Sequence, residues 1–439
     1  MFPNPQDALP LPLRPNLEQY KKLAKELLRA AKSTDSDAIR NWSTDWIKGL
    51  IEGAAISPHW KLWRDPDAWI RDVASFAQAK LADGGKLSDA QFVIARSHGF
   101  PSWPKFVQHL RNAGDIDSPE AQFEAAADAI ITGDIAALRH LLRANPKLVH
   151  LRSSREHAGT LLHYVSANGV ESYRQKTPKN IVEIAELLLK SGADVNAEAD
   201  VYGGGCETLG LVATSVHPES AGVQEPLMQL LLDYGSVIEK PNLPGKKHSA
   251  VIACFANGRL RAGEFLAAHG AELDLESAAG LGRIDLVKTF FHPDRSLKPS
   301  ATKKQLQGGL IWACMYGREE VAAFLLEHGA DPLDRVDNRA TPLHWAAGSG
   351  SLSIVKLLLD RGAPLEEINA WGGTVLGHAG WGFEHGAPDA DFVPVFELLL
   401  EAGAKIRGSW LAWIEKVKGR SVEEKARVAE VFRRHGATA

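Results

Sequence analysis

Two segments of this chain repeat one pattern about 33 residues apart, and this spacing constrains the fold more than any other feature. The clearer segment, residues 341–363, reads TPLHWAAGSGSLSIVKLLLDRGA, and the segment before it reads LIWACMYGREEVAAFLLEHGA. Trp312 aligns with Trp345, and both segments end in Gly-Ala. Two short apolar-periodic runs, each stopped near a glycine, predict two short helices per repeat. Stacked helix pairs of this kind predict an all-α solenoid.

The repeat resembles the ankyrin repeat, and about eight degenerate copies follow one another along the chain. The resemblance implies that Thr341 and His344 hold the turn that leads into the first helix, with His163 in the same place in the second repeat. A charged final segment predicts capping helices with a solvated outer face. The expected organisation is an extended tail at 1–15, a small helical domain at 16–115, the ankyrin array at 116–409 and capping helices at 410–439.

The front section reads as several amphipathic helices separated by Gly, Pro and Asp. Its segment LSDAQFVIARSHGFPSWPKFVQHL resembles a leader found in bacterial ankyrin proteins, with Ser88-Asp89 as a helix cap and Pro101 opening the next helix. Many of the chain's tryptophans fall here. They predict either the core of a small helical unit or an aromatic partner site. These residues are Trp42, Trp46, Trp60, Trp63, Trp69 and Trp103.

Charge and composition favour a cytoplasmic protein that binds neither nucleic acid nor membranes. The formal net charge is −4, which gives no general attraction to polyanions. No run approaches the roughly 18 apolar residues of a membrane span, and the N-terminus has no secretory pattern. Cys206, Cys254 and Cys314 are few and widely spaced, as expected of reduced thiols.

Three repeats depart from the regular spacing at the same place, the turn between their two helices. The second repeat inserts ESYRQKTPK, the third VHPESAG and the eighth GFEHGAPDADF. Insertions at one fixed position of a solenoid map to one edge of it, often the binding edge. Surface loops also accept insertions at little cost, so the pattern leaves both readings open.

The first functional hypothesis is a scaffold that grips a partner protein in the concave groove of the repeats. Tyr316, Trp371 and Trp381 are its predicted anchors, because large aromatic side chains outside a core often mark contact surfaces. His385 in the eighth insert is a further candidate contact. The eighth insert could instead cover both tryptophans with Phe383 and Phe392 and leave a dry cluster.

The alternative hypothesis is a small-molecule or catalytic pocket walled by the inserts of the second and third repeats. Tyr173, Arg174, Tyr202 and His217 would line it. Tyr202 precedes three glycines, but the Lys-Ser/Thr of a phosphate-binding loop is missing, so a nucleotide site is not expected.

The sequence carries no recognisable catalytic motif, and we expect binding rather than catalysis, with no cofactor and no metal. A loose group around the eighth insert has side chains that bind metals, but its spacing fits no helical ligand pair. It consists of His378, His385, Asp389 and Asp391. Glu384 with His385 could form an acid–base pair only if they lie within hydrogen-bond reach of a substrate.

Overall fold

The structure is a computed structural model that describes residues 4–12, 15–53, 65–82, 84–239, 249–335, 338–386 and 390–437. Its contacts divide the chain into two compact units, Met1–Pro241 and Asn242–Ala439. Trp60, Trp63 and Asp389, which entered the sequence predictions, lie outside the described residues. The expected segment boundaries near residues 16, 116 and 410 stay predictions.

Within the described residues, the N-terminal unit begins with five leader helices and continues with three helix pairs. Its α-helices are α1 (Leu17–Ala31), α2 (Ala38–Gly53), α3 (Pro66–Leu81), α4 (Leu87–Ser97), α5 (Trp103–Asn112), α6 (Pro119–Thr132), α7 (Ile135–Ala144), α8 (Ile181–Lys190), α9 (Thr208–Thr214), α10 (Val216–Ser220) and α11 (Gln224–Asp233). Short 3-10 helices lie at Pro5–Asp7, Pro146–His150, Leu161–Ser166 and Ser172–Arg174, and strands β1 (Glu198–Ala199) and β2 (Cys206–Glu207) pair antiparallel.

The part of the C-terminal unit that the structure describes holds five helix pairs and two terminal helices. They are α12 (Ala250–Ala256), α13 (Leu260–Ala268), α14 (Leu275–Gly280), α15 (Ile284–Lys288), α16 (Lys303–Met315), α17 (Glu319–Glu327), α18 (Pro342–Gly348), α19 (Leu352–Leu359), α20 (Val375–His385), α21 (Val393–Glu401), α22 (Trp410–Lys416) and α23 (Val422–Arg434). First helices stack on first helices and second on second, as α16, α18 and α20 do.

The predicted all-α solenoid of about eight helix pairs is confirmed. Each helix pair packs its apolar side chains against the helix pairs before and after it. One continuous core therefore runs from Leu275 to Phe432 in the C-terminal unit. In the second repeat the first helix is the 3-10 helix Leu161–Ser166. Among the described helices, none combines the length and the apolar character needed to cross a bilayer.

The predicted Thr-His turn is also confirmed. Nδ1 of His344 lies 3.2 Å from the backbone nitrogen of Thr341 and 2.9 Å from its hydroxyl oxygen. His163 repeats the arrangement on Thr160 at 3.0 and 2.9 Å. Each imidazole satisfies a backbone donor that the start of a helix would otherwise leave without a partner. These two histidines are therefore structural.

The leader helices form a core of their own, into which Trp42, Trp46 and Trp69 are buried. Their burial accords with the core reading of those three tryptophans. The leader also packs on the repeats of its unit, since Arg96 in α4 forms an ion pair with Glu156.

Two predicted helix starts in the leader were displaced. Helix α4 begins at Leu87, and Asp89 caps it from within by accepting the backbone N–H of Lys86 at 2.7 Å. Helix α5 begins at Trp103 after the cap residue Ser102, rather than at Pro101. Both sequences offer more than one capping side chain, and position alone does not select between them.

Helices α18 and α20 cross so closely that glycine is required at their contact. A Cβ atom on Gly382 would overlap the backbone carbonyl of Gly348. We expect Gly382→Ala to lower the free energy of unfolding of the C-terminal unit by at least about 2 kcal/mol, because backbone cannot yield as a side chain does. Urea unfolding of the full chain, with hydrogen exchange to assign the transition, measures the change.

Gly377→Ala in the same helix is the matched control. A Cβ atom there meets only the Thr374 hydroxyl, at 3.6 Å. The better helix propensity of alanine should leave stability unchanged or raise it by about 0.5–1 kcal/mol. Equal destabilisation by both substitutions would contradict the close crossing.

Candidate functional site

Trp371 projects from the hairpin between α19 and α20 with 67% of its surface exposed. The hairpin behind it is fixed by the buried side chain of Asn369. Its Oδ1 accepts the backbone N–H groups of Trp371 at 3.0 Å and Gly373 at 2.9 Å. Gly372 adopts φ of +80°, which permits the tight turn. The structure therefore holds a large apolar ring in solvent on a well-defined backbone.

Trp381 lies on α20 and is 54% exposed. Its ring stacks on His385 with centroids 5.2 Å apart and tilts against His378 at 5.8 Å. His378 in turn meets the edge of Trp345 at 5.1 Å. Burial, with a smaller contribution from His344, lowers the pKa of His378 to about 4. The four rings form a row, with its solvent-exposed end at Trp381 and His385.

The first part of the eighth insert does not form a loop. Residues 382–385 continue α20 to His385, so Phe383 turns into the core together with Phe392. The two phenylalanines therefore do not cover Trp371 and Trp381, whose rings stay exposed. Arg420 holds this end of α20 in place by donating to the carbonyl of Phe383 at 2.6 Å.

A cavity of about 370 Å³ opens beside Trp381, between α20 and α22. Trp410 and Trp413 face each other there at 5.1 Å in an edge-on arrangement. Glu384 accepts the indole N–H of Trp413 at 3.2 Å. We call Trp381, Glu384, Trp410 and Trp413 the tryptophan pocket. The remaining lining residues are Gly377, Gly380, Arg407 and Ser409.

The sequence prediction missed two walls of this pocket, because Trp410 and Trp413 fall in a segment interpreted only as a cap. The signal available was their i, i+3 spacing, which places both rings on one face of a short helix. The contact with Glu384 joins α20 to α22, and α21 lies between these two helices in the sequence. No local pattern reports that contact.

Tyr316, the third predicted anchor, is half-buried and packed within its own unit. Its ring lies 5.1 Å from Phe255 and stacks on Trp312 at 6.2 Å. Its hydroxyl donates to the carbonyl of Phe255 at 3.2 Å. The hydroxyl therefore already has an internal acceptor, and only part of the ring is available to a partner.

Tyr173 and Arg174, predicted to line a small-molecule pocket, are buried. The guanidinium of Arg174 bonds to Asp128 at 2.9 Å and to Glu124 at 2.8 Å, both on helix α6 of the first repeat. Neither side chain presents itself to solvent. The insert of the second repeat is thus fastened to the first repeat rather than open to a ligand.

Arg174 belongs to an ionic cluster in which Arg155 and Glu171 are also buried, whereas Glu124 and Asp128 are partly exposed. Arg155 Nε lies 2.8 Å from Glu171 and its Nη1 lies 2.5 Å from Glu124. Burial opposes ionisation of Glu171, but Arg155, His157 and Arg174 outweigh it and lower the pKa of Glu171 to about 2. The same two arginines hold the pKa of Glu124 well below its usual range, against the opposing effect of its partial burial. The carboxylates are therefore charged and paired.

Tyr202 and His217, the other two predicted pocket residues, lie in separate settings. Tyr202 is exposed, has φ of +52°, and places its hydroxyl 2.7 Å from Asn168 and 2.8 Å from Gln6. It therefore links the hairpin to the N-terminal tail. His217 is half-buried on the short helix α10. The four residues do not share one wall.

The loose metal-like group is not completed by the structure. His385 stacks on Trp381, and His378 is turned toward Asn369 at 3.3 Å. Within the part of the chain that the structure describes, no three His, Cys, Asp or Glu side chains are grouped as metal binding requires.

Comparison with known proteins agrees with this architecture. A family model described as ankyrin repeats (3 copies) matches residues 275–370. The chain is 34% identical over 105 residues to the probable 26S proteasome regulatory subunit p28 of Saccharomyces cerevisiae, a match that covers 23% of this chain and 45% of that protein. It is 32% identical over 104 residues to the cyclin-dependent kinase 4 inhibitor B of Rattus norvegicus, covering 24% of this chain and 78% of the inhibitor.

Proposed function

The chain belongs to the ankyrin-repeat family, and from this premise we propose that it is a binding protein that grips a partner protein along the first helices and hairpin tips of its C-terminal unit. The repeats and the relatives support a protein-interaction role. One relative is named as a kinase inhibitor and the other as a probable proteasome regulatory subunit, and these names describe those proteins. We further propose a cytoplasmic location and, from the leader, a bacterial type of ankyrin protein.

The observation that carries the proposal is the exposure of Trp371 and Trp381. Both rings stand on backbone fixed by local hydrogen bonds or by helix, so binding would order few additional torsions. Tryptophan is enriched among the residues that dominate binding energy, because its large apolar surface leaves water without a great loss of side-chain entropy. We assign His385 to the same contact surface, since its ring stacks on Trp381. Tyr316 contributes the exposed part of its ring.

The inserts of the second, third and eighth repeats would set specificity in this proposal. The insert of the second repeat is held in one conformation by Arg174, and Gln224 bonds to the carbonyls of Val212 and Ser215 beside the insert of the third. Loops fixed in this way discriminate by shape, because a mismatched partner cannot be accommodated by rearrangement. A small-molecule site at these inserts is not part of the proposal.

The proposal is tested by partner capture with the full chain. We expect Trp371→Ala and Trp381→Ala each to weaken binding of the same captured protein at least about tenfold, the loss typical of a tryptophan anchor. Quantitative cross-linking in native extract identifies the partner, and titration of the purified partner measures the affinity.

Ile116→Ala is the matched control, because Ile116 is an exposed apolar residue of the N-terminal unit. It should leave capture unchanged. If both tryptophan variants retain every partner at wild-type affinity, the proposed contact surface is wrong.

A further inference from the structure

We propose that the tryptophan pocket receives an arginine side chain of the partner protein. This inference rests on the proposed function and adds the chemistry of one contact. Trp381, Trp410 and Trp413 supply aromatic surface, and Glu384 supplies the only acidic group among the residues that line the cavity. A cation near indole rings and a carboxylate gains from both the ring quadrupole and the opposite charge.

The aromatic walls are fixed before any ligand arrives. Trp410 stacks on Phe432 at 4.7 Å and meets the edge of Phe396 at 6.2 Å, so its inner face is taken by the core. Trp413 is held by its hydrogen bond to Glu384, and Trp381 by its stack on His385. A preorganised site loses little entropy when a side chain enters it.

Gly380 explains how the rings come so close to α20. A Cβ atom there would lie 3.0 Å from the ring of Trp410 and 3.3 Å from that of Trp413. These distances are shorter than ordinary van der Waals contacts, so any side chain at this position would displace the rings. Gly377, one turn earlier, has nearly free space beside it and leaves the cavity open.

The pocket wall carries two charged side chains, Glu384 and Arg407, and of these Arg407 is already paired with an opposite charge. Arg407, also on its wall, is engaged by Glu366 at 2.7 Å, and the other oxygen of Glu366 accepts the backbone N–H of Lys405 at 2.9 Å. Glu384 bonds to Trp413, and no ion pair joins it to a cation among the described residues. One carboxylate oxygen thus stays available to a donor from outside.

Arginine fits these features better than an apolar or acidic side chain. An apolar group would bury the Glu384 carboxylate without a new partner, which is unfavourable, and an acidic group would be repelled. The planar guanidinium can stack on an indole face while its N–H groups donate to a carboxylate in the same plane. The cavity of about 370 Å³ is large enough to admit it.

The full chain labelled with 5-fluorotryptophan tests the assignment by fluorine NMR, with resonances identified through single Trp→Phe variants. The probe is a capped Gly-Gly-Arg-Gly-Gly peptide, and its citrulline counterpart keeps the shape without the charge. We expect saturable shifts of the Trp381, Trp410 and Trp413 resonances with the arginine peptide. Glu384→Gln should weaken this binding about tenfold, the loss of a charge-assisted contact.

Glu384→Gln is a mild change, because the glutamine carbonyl can still accept the N–H of Trp413. Glu327→Gln, at an exposed position on the end of α17, is the matched control and should leave the affinity unchanged. The proposal is overturned if the arginine peptide produces no saturable shift, or if citrulline binds equally well. It is also overturned if Glu384→Gln binds like the wild type, or if tetramethylammonium binds while the arginine peptide does not.

The outcome separates this inference from the proposed function. If the arginine peptide fails while Trp371→Ala still weakens partner capture, the arginine assignment falls and the proposed contact surface stands. If the peptide binds the pocket but no captured protein depends on Trp371 or Trp381, the proposed contact surface falls.

Discussion

Lowering the pH from 6.5 to 4.5 is expected to reduce the free energy of unfolding of the N-terminal unit by about 3 kcal/mol for every pH unit. Burial lowers the pKa of His98 to about 3, and of His109 and His163 to about 4. In the unfolded chain these imidazoles titrate near 6.5. Below that pH the unfolded state binds protons that the folded state does not bind. The free energy of unfolding therefore decreases as the pH falls from 6.5 to 4.5.

His98 shows why the folded state resists protonation. Its ring lies among Tyr20, Trp46 and Phe106, at 5.3, 5.6 and 5.4 Å. Nδ1 donates to the carbonyl of Leu9 at 3.0 Å, while Nε2 is buried without an acceptor. A proton on Nε2 would place a charge in an apolar site with no partner.

Urea unfolding between pH 7 and 4.5, with hydrogen exchange to assign the transition, measures the slope. His98→Asn should reduce it by about 1 kcal/mol per pH unit, since one titrating group is removed. Ile116→Ala, which removes an exposed side chain that does not titrate, should leave it unchanged. The paired carboxylates Glu124 and Glu171 lower the free energy of unfolding further only below about pH 4.5, which is outside this pH range. A slope that does not change in His98→Asn would contradict the assignment.

The fold was largely predictable because its signals are local. A glycine stop and an apolar period lie within a dozen residues, and Thr341 and His344 are three residues apart. The first helix of the second repeat differs, since Leu161–Ser166 winds as a 3-10 helix before Ala167 takes a left-handed φ of +48°. That distortion accompanies the insert, whose packing the local sequence does not specify.

The candidate site was only partly predictable. Exposure of Trp371 and Trp381 follows from their register, whereas the pocket beside Trp381 depends on Trp410 from another helix. The insert ESYRQKTPK reads as a polar loop, yet its arginine is buried because α6 supplies acids at i and i+4. Those acids stand in the alanine-rich run FEAAAD, and acidic side chains on an apolar face were the signal that could have revealed a buried pair.

Replacing Arg174 by methionine is expected to destabilise the N-terminal unit by about 3–5 kcal/mol, the cost of removing one partner from a buried ionic cluster. Methionine fills a similar volume, but Arg155 would then be the one arginine left beside Glu124 and Glu171, and Asp128 would lose its ion pair with Arg174. Unfolding of the full chain in urea measures the loss. Hydrogen exchange in residues 167–180 should rise first, because the insert is no longer fastened to α6.

Two further variants separate lost charge balance from lost packing around Arg174. Glu171→Gln in the Arg174→Met background removes one surplus buried charge, so the double variant should be less destabilised than the sum of the single changes by at least about 1 kcal/mol. Arg139→Met, at an exposed position on α7, should change stability by less than about 0.5 kcal/mol. Strict additivity of the first two changes would show that Arg174 stabilises the insert by packing alone, and the ionic fastening of the insert would then be wrong.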